Sequence, residues 1–251
     1  MNIQTCSFCD IGLEREINQD CIFCGADGSH ILAAVADGMG GHENGEAASG
    51  IICENLKEWW RKYRSAESHL SFPETVQALE NVIEGCNARI FGSVPENVIS
   101  GSTIVLLWID GERWALLSAG DSRCYLMKRG IFREQLRRLS VDDVWENQKE
   151  IKRRYSFMER KAHPNYGSLT KAVGADIHIS CQKREGRLKS KSVFLLCSDG
   201  VYRYCEETTL KRALKDMTAG KNMKLCLDSI CQSVYQKGAP DNISAIAVSV
   251  Q

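Results

Sequence analysis

An α+β sandwich is the fold class this sequence predicts, in preference to a doubly wound parallel sheet. Two regularities predict it. Helical patterns follow one another in pairs, as do strand patterns, so the two kinds of element do not alternate one by one. The central strands are also joined through tight-turn dipeptides such as Asp110-Gly111, which link antiparallel neighbours.

Taken in order, the apolar patterns predict strands over 5–9, 21–24 and 31–36. A helix over 45–64 follows, with Ala48, Ile52, Leu56, Trp59, Trp60 and Tyr63 at three- and four-residue spacing on one face. Ser71 with Glu74 three residues on forms a capping box. It announces a second helix, whose face carries Val76, Leu79, Val82, Ile83, Cys86 and Ile90 and which Gly92 ends. Apolar runs over 103–109 and 113–119 read as a hairpin with a type I′ turn at Asp110-Gly111. A second hairpin, 123–128 with 131–133 across Arg129-Gly130, continues it as a β-meander. The polar stretch 142–161 reads as an exposed helical excursion. Strands over 192–198 and 243–250 close the chain, with helices over 206–216 and 223–236 between them.

The 251 residues, 43% hydrophobic and 25% charged, have the composition of an ordinary globular protein. Four prolines, no repeat and no Pro/Gly/Ser-rich linker predict a single domain over 1–251. Lys+Arg and Asp+Glu are both 32, so no overall field draws the chain to nucleic acid or an anionic membrane, and neither is expected as a partner. The most apolar runs, 31–36 and 193–197, fall far short of the roughly 20 residues that cross a bilayer. Met1-Asn-Ile-Gln-Thr-Cys lacks the basic start and long apolar stretch of a secretory signal, so a cytoplasmic location is expected. There the 12 cysteines are expected as free thiols. Cys6, Cys9, Cys21 and Cys24 form two CxxC pairs similar to a zinc ribbon. The short spacing between the pairs and their strand-like setting favour plain strand packing over zinc.

The informative regularity is acidic. Three apolar runs each finish in aspartate followed by a small residue: Ala36-Asp37-Gly38, Gly120-Asp121-Ser122 and Ser198-Asp199-Gly200. Asp20 and Asp241 instead open strands, and antiparallel pairing can bring such starts to the same sheet rim as the ends. Crowded carboxylates raise one another's pKa unless cations neutralise them. Oxygen-only ligands suit Mn²⁺ or Mg²⁺ better than zinc, and the backbone carbonyl of Gly38 offers another oxygen.

These residues fall into ordered motifs. They are Arg15-Glu-Ile-Asn-Gln-Asp20; Asp37-Gly-Met-Gly-Gly-His42 with Gly45-Glu-Ala-Ala-Ser49; and Gly101-Ser-Thr103, followed by Gly120-Asp-Ser-Arg123. Leu169-Thr-Lys-Ala-Val-Gly174, Cys197-Ser-Asp-Gly200 and Asp241-Asn-Ile243 complete the set. In this order they resemble the metal-dependent protein phosphatase family (PPM, the type 2C serine/threonine phosphatases), its bacterial branch in particular, over nearly the whole chain.

The resemblance implies a four-layer αββα sandwich, with two antiparallel sheets face to face and helices outside each. It implies that Asp37 bridges two metals, with Asp199 and Asp241 completing one site and Asp20 and the Gly38 carbonyl helping at the other. Asp121 matches the position of a third, weaker ion. The cofactor is then Mn²⁺ or Mg²⁺, two ions with a possible third. The implied reaction is hydrolysis of phosphoserine and phosphothreonine in proteins by direct attack of a metal-bridging water. Arg15, five residues before Asp20, is the expected phosphate clamp, its planar fork matching two oxygens.

Met39 stands where some members of the family have a histidine proposed as general acid, which leaves His42, His163 or a metal-bound water for that role. Residues 142–168 fall where the family carries a variable flap, and here the segment interleaves bases with Glu146, Glu150 and Glu159. The expected partners are phosphorylated substrates of a serine/threonine kinase, and the expected state is a monomer. The competing reading is a phosphatase-like binding module with weak or no turnover.

Overall fold

The computed structural model describes residues 3–40, 42–67, 70–95, 98, 100–128, 135–188 and 191–250, with only the backbone of residues 42 and 43. Eleven strands and seven α-helices are assigned in it. The first strands are β1 (Ile3–Asp10), β2 (Asp20–Asp27) and β3 (His30–Met39). Two long helices follow, α1 (His42–Ser65) and α2 (Phe72–Phe91). The chain continues through β4 (Gly101–Ser102), β5 (Ile104–Asp110), β6 (Arg113–Ala119), β7 (Arg123–Lys128) and β8 (Gln135–Arg138). After a 3₁₀ turn (Trp145–Asn147) come α3 (Lys149–Arg154) and α4 (Phe157–Ala162). Strands β9 (Gln182–Arg187) and β10 (Ser192–Cys197), helices α5 (Asp199–Tyr202), α6 (Glu207–Thr218) and α7 (Met223–Tyr235), and strand β11 (Ile243–Val250) complete it.

The strands form two antiparallel sheets, one ordered β1-β11-β10-β7-β8 and the other β2-β3-β5-β6-β9, with β4 paired to β3. Period-2 alternation makes three cores from them. Ile31, Ala33 and Val35 of β3 meet Phe194 and Leu196 of β10 and Ile246 and Val248 of β11 between the sheets. The alternate residues Leu32, Ala34 and Ala36 face outward against Ile52 and Leu56 of α1 and Leu79 and Ile83 of α2. On the other outer face Leu195 and Ala247 pack against Leu214 of α6 and Ile230 of α7. Each fully buried Leu or Ile contributes about 1.5–3 kcal/mol, and together these rows order the four layers of the expected αββα sandwich.

Both long helices follow their patterns. The Glu74 carboxylate accepts from the backbone N–H (2.9 Å) and hydroxyl (2.5 Å) of Ser71, as the capping box predicts. No described helix is long and apolar enough to cross a membrane.

Four local expectations need correction. First, β3 does not end at Asp37 but runs on through Met39, because Gly38 and Met39 pair with Ser102 and Gly101. Second, Asp110 pairs with Arg113, so the turn is Gly111-Glu112. Only Gly111 there has positive φ (+53°), which is the pattern of a type II′ turn and not I′. Third, the meander breaks at Gly120-Asp121-Ser122: β6 lies in one sheet and β7 in the other. β7 pairs with β10 and, as its hairpin partner, with β8, and the expected strand 131–133 lies outside the described residues. Fourth, β9 was not predicted; its sequence, Gln-Lys-Arg-Glu-Gly-Arg, has no apolar face, and among the described residues it is an edge strand whose one partner is β6.

The four N-terminal cysteines disperse. Cys6 packs in the core under α6 and α7, Cys21 in the core under α1 and α2, and Cys24 between the sheets. Cys9 is exposed and accepts hydrogen bonds from Asn18 (3.3 Å) and Ser244 (3.2 Å). Strand packing accounts for Cys6, Cys21 and Cys24.

Candidate metal centre

The inner rows of both sheets turn polar at one rim. On β3 the inward series 31, 33, 35 is followed by Asp37, and on β2 the series containing Ile22 and Cys24 begins at Asp20. Asp20 and Asp37 are direct register partners, so their side chains share a face. The inward series of β5, β7, β10 and β11 reach the same rim at Thr103, Ser122, Ser198 and Ser244.

Hydroxyls stitch the sheets together there. The Thr103 and Ser122 hydroxyls are hydrogen-bonded at 2.6 Å, and Ser198 Oγ donates to Asp20 Oδ2 at 2.8 Å. Asp199 follows as the first residue of α5, Asp241 immediately precedes the approach to β11, and Asp121 sits in the turn that carries the chain from one sheet to the other. Antiparallel pairing therefore gathers all five predicted aspartates at one rim.

Four of them, Asp37, Asp121, Asp199 and Asp241, line a cleft of about 320 Å³ together with Arg15 and Gly38, whereas Asp20 is buried beside Asp37 and is not among the residues lining it. Gly38 is required by close approach: a Cβ there would stand 2.1 Å from the Gly45 carbonyl oxygen of α1 and 2.7 Å from that of Gln19. A larger depression of about 730 Å³ lies elsewhere, between β2 and α1, lined by groups such as Phe23, Trp60 and Arg61. It lacks the converging carboxylates, so the chemistry belongs to the smaller cleft.

Electrostatics mark the same place. Asp37 still opens to the cleft, but protein crowds it on all sides; desolvation first, then repulsion from Asp20, Asp199, Asp121 and Asp241, raises its pKa well above the usual range. Burial lifts Asp20 to about 7 against the opposing hydrogen bonds from Ser198 and Ser244. Asp199 is raised by burial, with Arg203 opposing and Asp121 and Asp241 reinforcing. Such a set fits hard divalent cations: every side-chain donor is oxygen, and a cation would relieve the repulsion that raises these values.

Among the described residues no three acidic, histidine or cysteine side chains close into a finished ligand set. The carboxylates share a cleft and a strong mutual repulsion, while two arginines pair with three of them. Arg15 meets Asp241 at 2.9 Å, and Arg203 meets Asp199 at 3.0 Å and Asp121 at 3.1 Å. Arg15 thus lies at the cleft but engages an expected metal ligand, so binding phosphate would mean exchanging that partner.

His42 opens α1, and its side chain lies outside the described residues. His163 stacks on Trp145 at a ring distance of 4.1 Å and accepts from the Asn165 N–H; it is not among the described residues lining the cleft.

Two contributors had no role assigned from sequence. Asn242 is buried and serves as a clasp: its Oδ1 accepts from the Gln19 N–H (2.9 Å), and its Nδ2 donates to the carbonyls of Ile11 (2.9 Å) and Ile17 (3.0 Å). It thereby fixes the loop that carries Arg15 next to Asp241. Arg203 was missed altogether; four residues after Asp199, it is legible only once Asp199 is known to begin a helix.

The family model described as protein phosphatase 2C matches residues 14–240. The chain belongs to the protein phosphatase 2C family. This phosphatase 2C chain is 27% identical over 249 residues to the serine/threonine protein phosphatase PstP of Mycobacterium tuberculosis; the match covers 96% of the chain but 44% of that relative. The chain thus spans less than half the length of PstP. Among solved structures, PppA, described as a key regulatory component of T6SS in Pseudomonas aeruginosa, superposes with a TM-score of 0.78 at 28% identity, covering 99% of this chain and 97% of PppA. The catalytic domain of PstP in complex with two manganese ions superposes at 0.79 with 23% identity, covering 99% of each chain.

Proposed function

We propose that this phosphatase 2C chain hydrolyses phosphoserine and phosphothreonine esters of proteins, with two divalent ions, Mn²⁺ or Mg²⁺, as cofactors. The observation that carries the proposal is the convergence of Asp37, Asp199 and Asp241 on one cleft with Asp20 buried beside Asp37, and with pKa values raised for Asp20, Asp37 and Asp199. Family membership and the manganese-bound PstP domain support it.

When bound, such ions lower the pKa of a water and neutralise charge on phosphoryl oxygens. The chain's own residues supply the rest. Asp37, Asp199 and Asp241 would hold one ion, Asp37, Asp20 and the Gly38 carbonyl the other. Ser198 orients the Asp20 carboxylate, and Thr103 fixes the backbone of Asp37, accepting from its N–H at 3.1 Å and donating its own N–H to its carbonyl at 2.8 Å. Arg15, at the mouth of the cleft, would take two phosphate oxygens in its planar fork.

We read residues 142–168 as a flap over the substrate, within a single domain; Gly167 and Leu169, at its end, line the cleft. In this reading the partners are phosphoproteins made by a serine/threonine kinase, met in the cytoplasm by a monomer. The test is turnover of aryl phosphate and of phosphoserine and phosphothreonine peptides by the purified chain, with Mn²⁺ and after chelation. Metal-dependent release of phosphate is expected; wild-type protein that binds Mn²⁺ yet turns over neither would favour the binding-module reading.

A further inference from the structure

The second arginine in the cleft does something the ion-holding aspartates do not explain. Arg203 follows the last residue of α5, and its guanidinium spans two carboxylates from distant parts of the chain: Nε donates to Asp199 Oδ2 (3.0 Å) and Nη2 to Asp121 Oδ2 (3.1 Å). Tyr202 Oη donates to the same Asp121 oxygen at 3.0 Å. The contact is supported from behind. The Arg123 guanidinium lies 3.5 Å over the Tyr202 ring and is itself held by Asp142 through two hydrogen bonds, at 2.7 and 3.1 Å. Asp121 is buried, its side chain 5% exposed. One of its oxygens therefore accepts from two fixed donors, one of them a group that does not lose its proton in proteins.

We propose that Arg203 is a tethered counter-cation for the Asp121–Asp199 pair, so that the cleft takes up two divalent ions and the guanidinium stands where a further one would bind. Asp121 then positions Arg203 and holds no ion. A divalent cation at Asp121 would have to displace both the Tyr202 hydroxyl and a permanent positive charge about 3 Å away, and like charges at that range in a partly buried cleft repel strongly. Asp20, Asp37 and Asp241 make no pair with Arg203 among the ion pairs of the described residues; Asp241 is held by Arg15 through one contact at 2.9 Å, which an incoming ion must displace. The proposal rests on reading the cleft as a metal centre.

Mn²⁺ titration of the metal-free full chain, read by calorimetry and by electron paramagnetic resonance of free Mn²⁺, tests it without using turnover. Wild type is expected to bind two ions, and Arg203→Met three. The double variant Arg203→Met/Asp121→Asn should return to two, which assigns the extra ion to Asp121. Arg203→Lys should stay at two, since it retains the positive charge. Asp121→Asn alone should also keep two, which keeps the test decisive if Arg203→Met does not fold. A merely structural arginine would change thermal stability in these variants and leave the stoichiometry alone. Three ions in wild type, loss of an ion in Asp121→Asn, or two ions in folded Arg203→Met would overturn the proposal while leaving the phosphatase reading intact. Wild type that binds no Mn²⁺ would overturn both.

Discussion

Asp37 is the residue on which the most interactions converge. Its backbone is fixed by Thr103, its register by β2, and its charge is opposed by four neighbouring carboxylates. A group so placed is a liability to the fold and an asset to the site. Asp37→Asn keeps the shape and removes the charge, so two opposite effects are expected. The metal-free variant should melt above metal-free wild type at pH 8, and Mn²⁺-dependent turnover should fall by about 10²–10³-fold or more, the scale of losing one preorganised electrostatic contact. Calorimetry of both chains with chelator, beside phosphopeptide kinetics, checks both; a variant that melts lower without metal would contradict the repulsion. The aspartates were legible in the sequence because each lies beside an apolar run that reads as a strand. Arg203 and Asn242 were not, because their roles are contacts with Asp121 and Gln19, far away along the chain, and no local pattern encodes those distances.

Among the elements, the segment between β1 and β2 depends most on others for its shape. It carries Arg15, and several of its anchors come from near the end of the chain: the Leu13 N–H donates to Ala239 O at 2.8 Å, Tyr235 Oη to Asp10 Oδ1 at 2.6 Å, and Asn242 clasps Ile11, Ile17 and Gln19. Asn242→Ala removes three part-buried hydrogen bonds to this segment, each worth about 0.5–1.5 kcal/mol net. The expected result in urea unfolding is a loss of about 2–4 kcal/mol. The same change should raise KM for phosphopeptide more than it lowers kcat, because Arg15 loses its placement before the carboxylates lose theirs. The elements that reading the sequence recovered are those with at least one apolar face, the helices α1 and α2 with one and the strands β3, β5, β6, β10 and β11 with two. It missed β9, an edge strand with a charged sequence. It also joined β6 to β7 in one meander, because the chain changes sheets through a turn whose residues look like any other hairpin turn.

For the whole molecule, the raised carboxylates tie stability to pH and metal together. Asp20 holds its proton up to about 7 in the folded chain but releases it near 3.8 when unfolded. The unfolded state therefore binds fewer protons between those values, and the metal-free protein loses stability as pH rises from about 4 to about 7. Asp37 and Asp199, both raised, act in the same direction. Bound Mn²⁺ should reverse the loss: at a hundred times Kd one ion adds about 2.7 kcal/mol, which for a domain of this size raises Tm by about 5–10 °C. Melting curves at pH 5.5 and 8, with Mn²⁺ and with chelator, should show the larger metal-induced rise at pH 8, because competing protons are gone there. Equal rises at both values would refute the linkage. The direct pairing of Asp20 with Asp37 carries one more consequence. Successive side chains alternate faces, so a slip of one residue between β2 and β3 would leave the hydrogen-bond ladder nearly intact while turning Asp20 away from the cleft. In the proposed two-ion reading only a correctly aligned sheet brings Asp20 beside Asp37, so metal uptake would double as a report on strand alignment.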